Sequence, residues 1–426
     1  MTPALVLPRK LAWGWVAYAA LLLLAPLCMP SNFGLSLLSQ MGIAIVACLS
    51  YNVLLGQGGM LSFGHSVYTG LAAFIAVHAL NHMAEGGWPV PVIWLPLLGG
   101  MAGLVLAALL GAVTTRKSGT PFAMITLGLV ELIAAMALMV PEFFGGEGGV
   151  TANRTAGPRF LGLNFGPQIQ VYYLLAAYTF VCTGLLYAFT CTPLGRLLNA
   201  VRDNAERVEF LGFNAQRVRW LGFIVSGFFA GVAGGMYALN FEIATAEVVG
   251  AARSGAYLLF TFLGGSTVFF GPILGGVLMV LATAVLSEWT KAWLLYLGLA
   301  FLIMVVVAPG GLAAVLLAQL RLIQSHRMGP LWAGTLALGG TGGAGMLGGA
   351  ALIEMVYHLQ LNETLGPELQ FLGLTLSVSR PEDWVGAAGL AALGSGLFML
   401  ARRQFASDWQ QAVADTTSQV SKGPRP

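Results

Sequence analysis

Few residues of this chain can do acid–base or ligand chemistry, and those that can lie far apart. Two carboxylates, Glu131 and Glu354, fall well inside long apolar runs, where an ionisable group is costly and marks a functional position by default. Glu131 follows Met124, Leu127 and Gly128 at helical spacing, so it either faces a polar pathway or makes a neutral, hydrogen-bonded helix contact. Glu354 sits near the end of its run, within reach of an interface. The histidines, His65, His78, His82, His326 and His358, are scattered. His78 and His82 could share a helix face but have no third ligand nearby, so no metal site is expected. The cysteines, Cys28, Cys48, Cys182 and Cys191, lie in or beside apolar runs without CxxC spacing, which indicates neither zinc nor a disulfide framework. No Gly-x4-Gly-Lys-Ser/Thr loop is present, so the chain lacks the usual cradle for nucleotide phosphates.

Two polar stretches concentrate what chemistry remains. The first, Tyr51 to His65, contains Asn52, then Gly56-Gln57-Gly58-Gly59, then Ser62-Phe63-Gly64-His65. Its glycines permit a sharp turn at membrane depth, which frees backbone amides and Ser62 for hydrogen bonds inside a bundle. It serves as part of a translocation path, with Asn52, Gln57, Gly58, Ser62 and His65 as candidates, or as a tight helix–helix turn with no ligand contact. The second stretch runs from Gly195 to Asn214 and is charged. Leu198, Val201, Ala205, Val208 and Leu211 recur at three and four, which predicts one amphipathic helix over about 194–214, stopped at Gly212. That helix is a solvated connector on the membrane surface or a docking element for a partner.

The elements that must position these residues are set by composition. Of 426 residues 57% are hydrophobic and only 9% are charged, and mean hydropathy is +0.81. Too little polar surface exists to coat a soluble globule, so the solvent is lipid. About 20 apolar residues cross a bilayer as a helix. Spans are expected at 11–29, 36–56, 60–80, 91–114, 120–140, 170–191, 219–240, 254–265, 271–287, 292–308, 331–357 and 384–401. The segment 254–265 is too short to cross alone, which predicts a broken helix buried in protein. Fifty-seven glycines fit close helix packing in lipid, where apolar side chains alone give helices no reason to associate. A β-barrel is excluded by the long continuous runs. With the N-terminus in the cytoplasm, only Arg154, Arg159, Arg253, Lys291 and Arg380 of the 20 basic residues lie outside. The positive-inside rule therefore places both termini in the cytoplasm, and Gly145-Gly146-Glu147-Gly148-Gly149 in a glycine-hinged external loop.

The two polar stretches carry a resemblance. Gly195 to Asn214 resembles the cytoplasmic coupling loop of binding-protein-dependent ABC permeases of the Liv (leucine, isoleucine, valine) type. The general permease signature is Glu-Ala-Ala, three residues, then Gly; here Glu206-Arg207-Val208 precedes Gly212 at that spacing, with both alanines replaced. Tyr51 to His65 resembles the same family's signature between two early helices. Gly145-Gly146, Gly264-Gly265 with Gly271-Pro272, and Ala308-Pro309-Gly310-Gly311-Leu312 add to the likeness, which covers about 36–312. It implies a permease domain over 1–312 with about ten family-type segments. A C-terminal extension over 313–403 adds two further spans, and a polar cytoplasmic tail follows at 404–426. It also implies a second homologous permease subunit, two ATP-binding cassette ATPases that bind the ATP in place of this chain, an external solute-binding protein, and a bacterial-type inner membrane. Arg202, Asp203, Asn204, Glu206 and Gly212 are then the ATPase-coupling candidates, and Glu131 joins the path candidates. Nothing points to nucleic acid or to a cofactor in this chain. Branched-chain amino acids are the expected solutes, with urea, amides or aromatic acids as alternatives; a stand-alone secondary transporter would need more ionisable residues in its spans.

Overall fold

The computed structural model describes residues 9–87, 90–155, 164–308, 310–324, 328–361, 368–371 and 374–421. Arg159, Pro309, His326, Arg327 and residues 422–426 of the expected tail lie outside them. The helices are α1 Arg9–Cys28, α2 Asn32–Asn52, α3 His65–Ala84, α4 Leu95–Thr114, α5 Thr120–Met139, α6 Pro141–Phe144, α7 Gln168–Cys191, α8 Pro193–Asp203 and α9 Ala205–Phe210. They continue as α10 Ala215–Phe241, α11 Ala251–Gly264, α12 Gly271–Val280, α13 Ser287–Trp289, α14 Trp293–Val307, α15 Gly311–Gln324, α16 Met328–Leu361 and α17 Pro381–Ser421. Single π-helical stretches follow α2, at Val53–Gln57, and α12, at Leu281–Leu286. Among the described residues nine helices are long and apolar enough to cross a membrane, and the bent pair Trp293–Val306 and Gly311–Leu317 makes a tenth if counted as one span. This is an all-α polytopic membrane architecture.

The chain divides into two compact units, one of Met1–Trp289 with Leu297–Val315 and one of Thr290–Tyr296 with Leu316–Pro426. In the first, α2, α3 and α10 are the buried centre, and α5 keeps most of its surface outward. Glycine lets the backbones touch: a Cβ on Gly103 of α4 would collide with the Gly227 carbonyl of α10, and one on Gly231 with the Gly99 carbonyl. Such contacts supply van der Waals packing where lipid gives helices no reason to associate. The loop that carries Gly145–Gly149 is tied down by β1 Val150–Thr151, antiparallel to β2 Ile243–Ala244. Arg154 fixes it further, donating from Nε to the Phe165 carbonyl at 2.8 Å and from Nη1 to that of Leu239 at 3.1 Å. Gly145, Gly146 and Gly149 all hold positive φ in this loop.

In the second unit α16 and α17 pack through small residues. A Cβ on Gly348 would meet Ala391, and one on Gly345 would lie 3.1 Å from the Ser395 nitrogen. The hairpin β3 Glu368–Phe371 and β4 Leu374–Ser377 pairs Phe371 with Leu374 and Glu368 with Ser377. Glu354 accepts from Tyr296 Oη at 3.1 Å and from Thr290 Oγ1.

Three boundaries differ from expectation. The expected span 60–80 is a helix over 65–84, because residues 58–64 are irregular backbone despite Met60, Leu61 and Phe63 reading as apolar. The expected single helix over 194–214 is two helices, α8 and α9. Asn204 leaves helical geometry at φ −160° and ψ 101°, and its side chain caps α9 by accepting from the Arg207 N–H. An N-cap of this kind is worth about 1 kcal/mol and wins over the continuous apolar period. Finally, the expected tail from 404 continues α17 as helix to Ser421.

Candidate functional site

The interruption between α2 and α3 is built into the interior of the first unit. After the π-helical stretch the chain turns at Gly58 and Gly59, the latter at φ +61°. A Cβ on Gly59 would lie 2.6 Å from Arg202 Cγ, so glycine is required there for space as well as for conformation. The backbone then climbs back into the bundle, with the Phe63 N–H donating to Thr126 Oγ1 at 3.1 Å. Thr126 lies six residues into α5, about 9 Å from its start at 1.5 Å per residue. Helix α3 therefore begins inside the bundle.

Helix α11 begins there too, reached from the opposite end through the turn after β2. The His65 N–H donates to Ser254 Oγ at 2.8 Å, and Ser66 Oγ donates to the Val249 and Gly250 carbonyls at 3.1 and 3.0 Å. Two helix N-termini thus meet inside the unit, and each concentrates partial positive charge. The broken helix expected at 254–265 is this α11, which ends at Gly265 with φ +114°.

His65 is fully buried. Its Nε2 lies 2.8 Å from Ser50 Oγ, and Ser50 spends its own hydroxyl proton on the Ala47 carbonyl at 2.7 Å. The proton therefore sits on Nε2, and Nδ1 has no partner among the described residues. The ring is held edge-on by Tyr51 and Tyr257, at 5.1 and 6.1 Å between centroids. Ser62 is buried, and its carbonyl accepts from Tyr51 Oη at 2.9 Å. Asn52 is buried with Oδ1 unpartnered among the described residues. Gly58 is buried and donates its N–H to the Val53 and Leu54 carbonyls at 3.1 Å. Of the path candidates, Asn52, Gly58, Ser62 and His65 share this buried break, Gln57 is half-buried at its edge, and Glu131 is apart from them. Glu131 lies on the outward face of α5 with Met124, Leu127 and Leu132.

The charged stretch touches the same break. Asn199 Nδ2 donates to Gln57 Oε1 at 2.7 Å, and Arg202 Nη1 donates to the Gly56 carbonyl. Arg202 also pairs with Asp203, with Nη2 3.0 Å from Oδ1, while its side chain stays 40% exposed. Leu198, Val201 and Val208 are buried as the apolar period requires, but Leu211 is 70% exposed. The reason is the turn at Gly212, where φ is +89°. It holds Phe210, Leu211 and Phe213 outward, with Phe210 91% exposed. Glu206, Arg207 and Glu209 flank this apolar knob and are exposed. The knob was missed by sequence reasoning, although two phenylalanines around a glycine in a charged segment are its signal. Among the described residues no three His, Cys, Asp or Glu side chains converge as a metal site would require.

With this geometry in place the comparisons with known proteins become specific. A sequence profile described as "Branched-chain amino acid transport system / permease component" matches residues 34–309. The chain belongs to this family. It is 28% identical over 301 residues to the high-affinity branched-chain amino acid transport system permease protein LivM of Escherichia coli K12, covering 66% of this chain and 70% of that one. It is likewise 28% identical over 311 residues to the LivM protein of Salmonella typhimurium LT2, covering 67% and 71%. No solved structure matches. This family member carries the break, the charged helix pair and the outward face of α5 inside the matched region, and α16 and α17 beyond it.

Proposed function

We propose that this permease-family chain is one of two homologous membrane subunits of an ATP-driven importer that moves branched-chain amino acids or similar small polar solutes across the inner membrane. It works with two ATP-binding cassette subunits, which bind and hydrolyse the ATP, and with an external protein that delivers the solute. Both termini face the cytoplasm. The observation that carries this reading is the bridge from the charged helix pair to the buried break, through Asn199 to Gln57 and Arg202 to the Gly56 carbonyl. An ATPase that displaces α8 and α9 pulls directly on the π-helical end of α2, and through residues 58–64 on the start of α3. Glu206 and the Phe210–Phe213 knob form the docking surface; Arg202, paired with Asp203, ties α8 to the bundle, Asn204 caps α9 and Gly212 sets the turn. Glu131, outward on α5, lines the passage shared with the second permease, since an ionised carboxylate facing lipid is costly.

Reconstitution tests this. The chain with its second permease, ATPases and binding protein in vesicles is expected to take up radiolabelled leucine only with ATP inside the ATPase compartment. Uptake by this chain alone without ATP defeats the proposal. Reporter fusions are expected to place Arg207 in the cytoplasm and Asn153 outside; the reverse defeats the orientation.

A further inference from the structure

Among the described residues only Phe165 and Glu242 hold positive φ without being glycine, at +52° and +55°, and Arg154 grips both. Its Nε donates to the Phe165 carbonyl and its backbone N–H to the Glu242 carboxylate, each at 2.8 Å. Strained backbone of this kind persists only where its surroundings over-determine it, and it gathers at switch regions. The place is the far end of the first unit from α8 and α9. Helix α10 runs 27 residues from Ala215, just after α9, to Phe241, about 40 Å at 1.5 Å per residue.

What Arg154 holds there is a small clasp. β1 and β2 pair over two residues each, a ladder too short to stand alone. The Ala152 N–H adds a bond to the Glu242 carbonyl at 2.8 Å, and Asn81 Nδ2, near the end of α3, adds one to the Thr151 carbonyl at 2.9 Å. Before β1 stand Gly145, Gly146 and Gly149 at positive φ, a backbone with freedom to swing. After β2 the chain turns back as a strap, residues 243–250, laid along α3, where a Cβ on Gly70 would come 2.9 Å from the Val248 carbonyl. The strap ends at the buried break. Its Val249 and Gly250 carbonyls hold Ser66 Oγ, and Ser254 Oγ in the helix that follows holds the His65 N–H. A displacement at the clasp therefore reaches the starts of α3 and α11 through one short piece of chain.

We propose that the clasp is a latch on the break: while β1 and β2 pair, the strap holds α3 and α11 at their starts, and an external protein that engages residues 140–155 parts the clasp and frees them. The assignment rests on the importer reading for that protein. It adds a second handle on the break, at the opposite end from the one α8 has through Gly56 and Gln57. Two sites couple when both bias one bistable element, and the break is the element that both handles reach.

Thr151 and Ile243 are direct partners across the clasp, near disulfide distance as cross-strand neighbours are, with Thr151 exposed and Ile243 half-buried. Thr151→Cys with Ile243→Cys therefore locks the latch until reductant opens it, and each single variant controls for the exposed Cys28 and Cys191. The assembled transporter in nanodiscs is read twice. Amide hydrogen exchange over residues 62–67 is expected to slow about fivefold on oxidation, the low end of coupling between linked sites, and to recover on reduction. A merely structural clasp protects only the residues beside the bridge. Stimulation of ATP turnover by the leucine-loaded binding protein is expected to fall about fivefold or more on oxidation, with basal turnover kept. Exchange at 62–67 indifferent to the lock, or stimulation indifferent to it, overturns the latch. Should the cysteine pair fail to assemble, Ser66→Ala cuts the strap from α3 and is expected to raise basal turnover about fivefold toward the stimulated level; wild-type basal turnover with wild-type stimulation overturns the latch. ATP-driven leucine uptake by the wild-type assembly separates the two ideas. If uptake is absent while exchange answers to the lock, the importer reading fails and the link from clasp to break stands; if uptake is present and exchange indifferent, the reverse holds.

Discussion

The first unit is interrupted at glycine in two adjoining places, at 58–64 between α2 and α3 and at 204–214 between α8 and α10, and the two interruptions are stabilised in opposite ways. The inner one is held by groups far away in sequence: Thr126 on Phe63, Ser254 on His65, Arg202 against Gly59. The outer one is held by its own neighbours, with Asn204 accepting from the Arg207 N–H and Asn214 from the Arg217 N–H, each at 2.9 Å. A break assembled from tertiary contacts fails with the fold. One assembled from local caps survives substitution and can alter what docks on it. On the proposed function the difference separates folding from coupling, and it is open to direct attack.

The largest effect is expected at Gly59→Val. A β-branched residue at φ +61° with its Cβ against Arg202 combines backbone strain with a steric clash against the exposed Arg202 side chain. Thermal unfolding of the purified chain is expected to show a loss of about 1–3 kcal/mol. A Gly59→Val chain of wild-type stability removes the inner half of the comparison.

Next in size is the outer knob. Replacing Phe210 and Phe213 together by alanine removes mostly exposed apolar surface, so membrane abundance is expected to stay nearly unchanged. Association with the ATPase subunits is expected to fall about tenfold or more, as for apolar anchors at interface centres. Glu206→Arg is expected to act in the same assay and the same direction, with a smaller effect because a rim charge contributes less. Co-purification measures both; unchanged association makes the helix pair a mere connector.

Smaller still is Ser50→Ala, which takes from His65 Nε2 its acceptor and leaves a buried N–H unpaired. An orphaned buried donor costs about 1–3 kcal/mol. A stability loss with little change in ATPase association is expected, which keeps the inner break on the folding side.

The sequence made the membrane class, the rough place of the apolar helices, the glycine turn after α2 and the stop at Gly212 legible, since apolar runs and glycine clusters are local signals; of the twelve expected spans, nine or ten described helices are long and apolar enough to cross. It misplaced the start of α3 by five residues because Met60, Leu61 and Phe63 look like helix, and only Thr126 and Ser254 pull that backbone extended. It merged α8 and α9 because Leu198 to Leu211 keep one period, while the competing cap at Asn204 is a single side chain. Of the site, the residues were visible and their relations were not. That Arg202 faces the Gly56 carbonyl is a fact of packing between segments far apart in the chain.

The finest discrimination comes from asparagine, which tolerates positive φ better than other side-chain-bearing residues. At Gly212, where φ is +89° and nothing lies within 4 Å of a new Cβ, only the backbone opposes substitution. Gly212→Asn is therefore expected to be nearly neutral, and Gly212→Val to cost about 1–2 kcal/mol locally, visible as weaker ATPase association with an intact bundle. At Gly59 asparagine relieves the same backbone strain, but its Cβ still meets Arg202 at 2.6 Å. Gly59→Asn is accordingly expected to remain destabilised. Paired thermal unfolding of the two asparagine variants measures the contrast. Equal tolerance at both positions means that Arg202 moves aside freely, and that the bridge from α8 to the buried break transmits nothing.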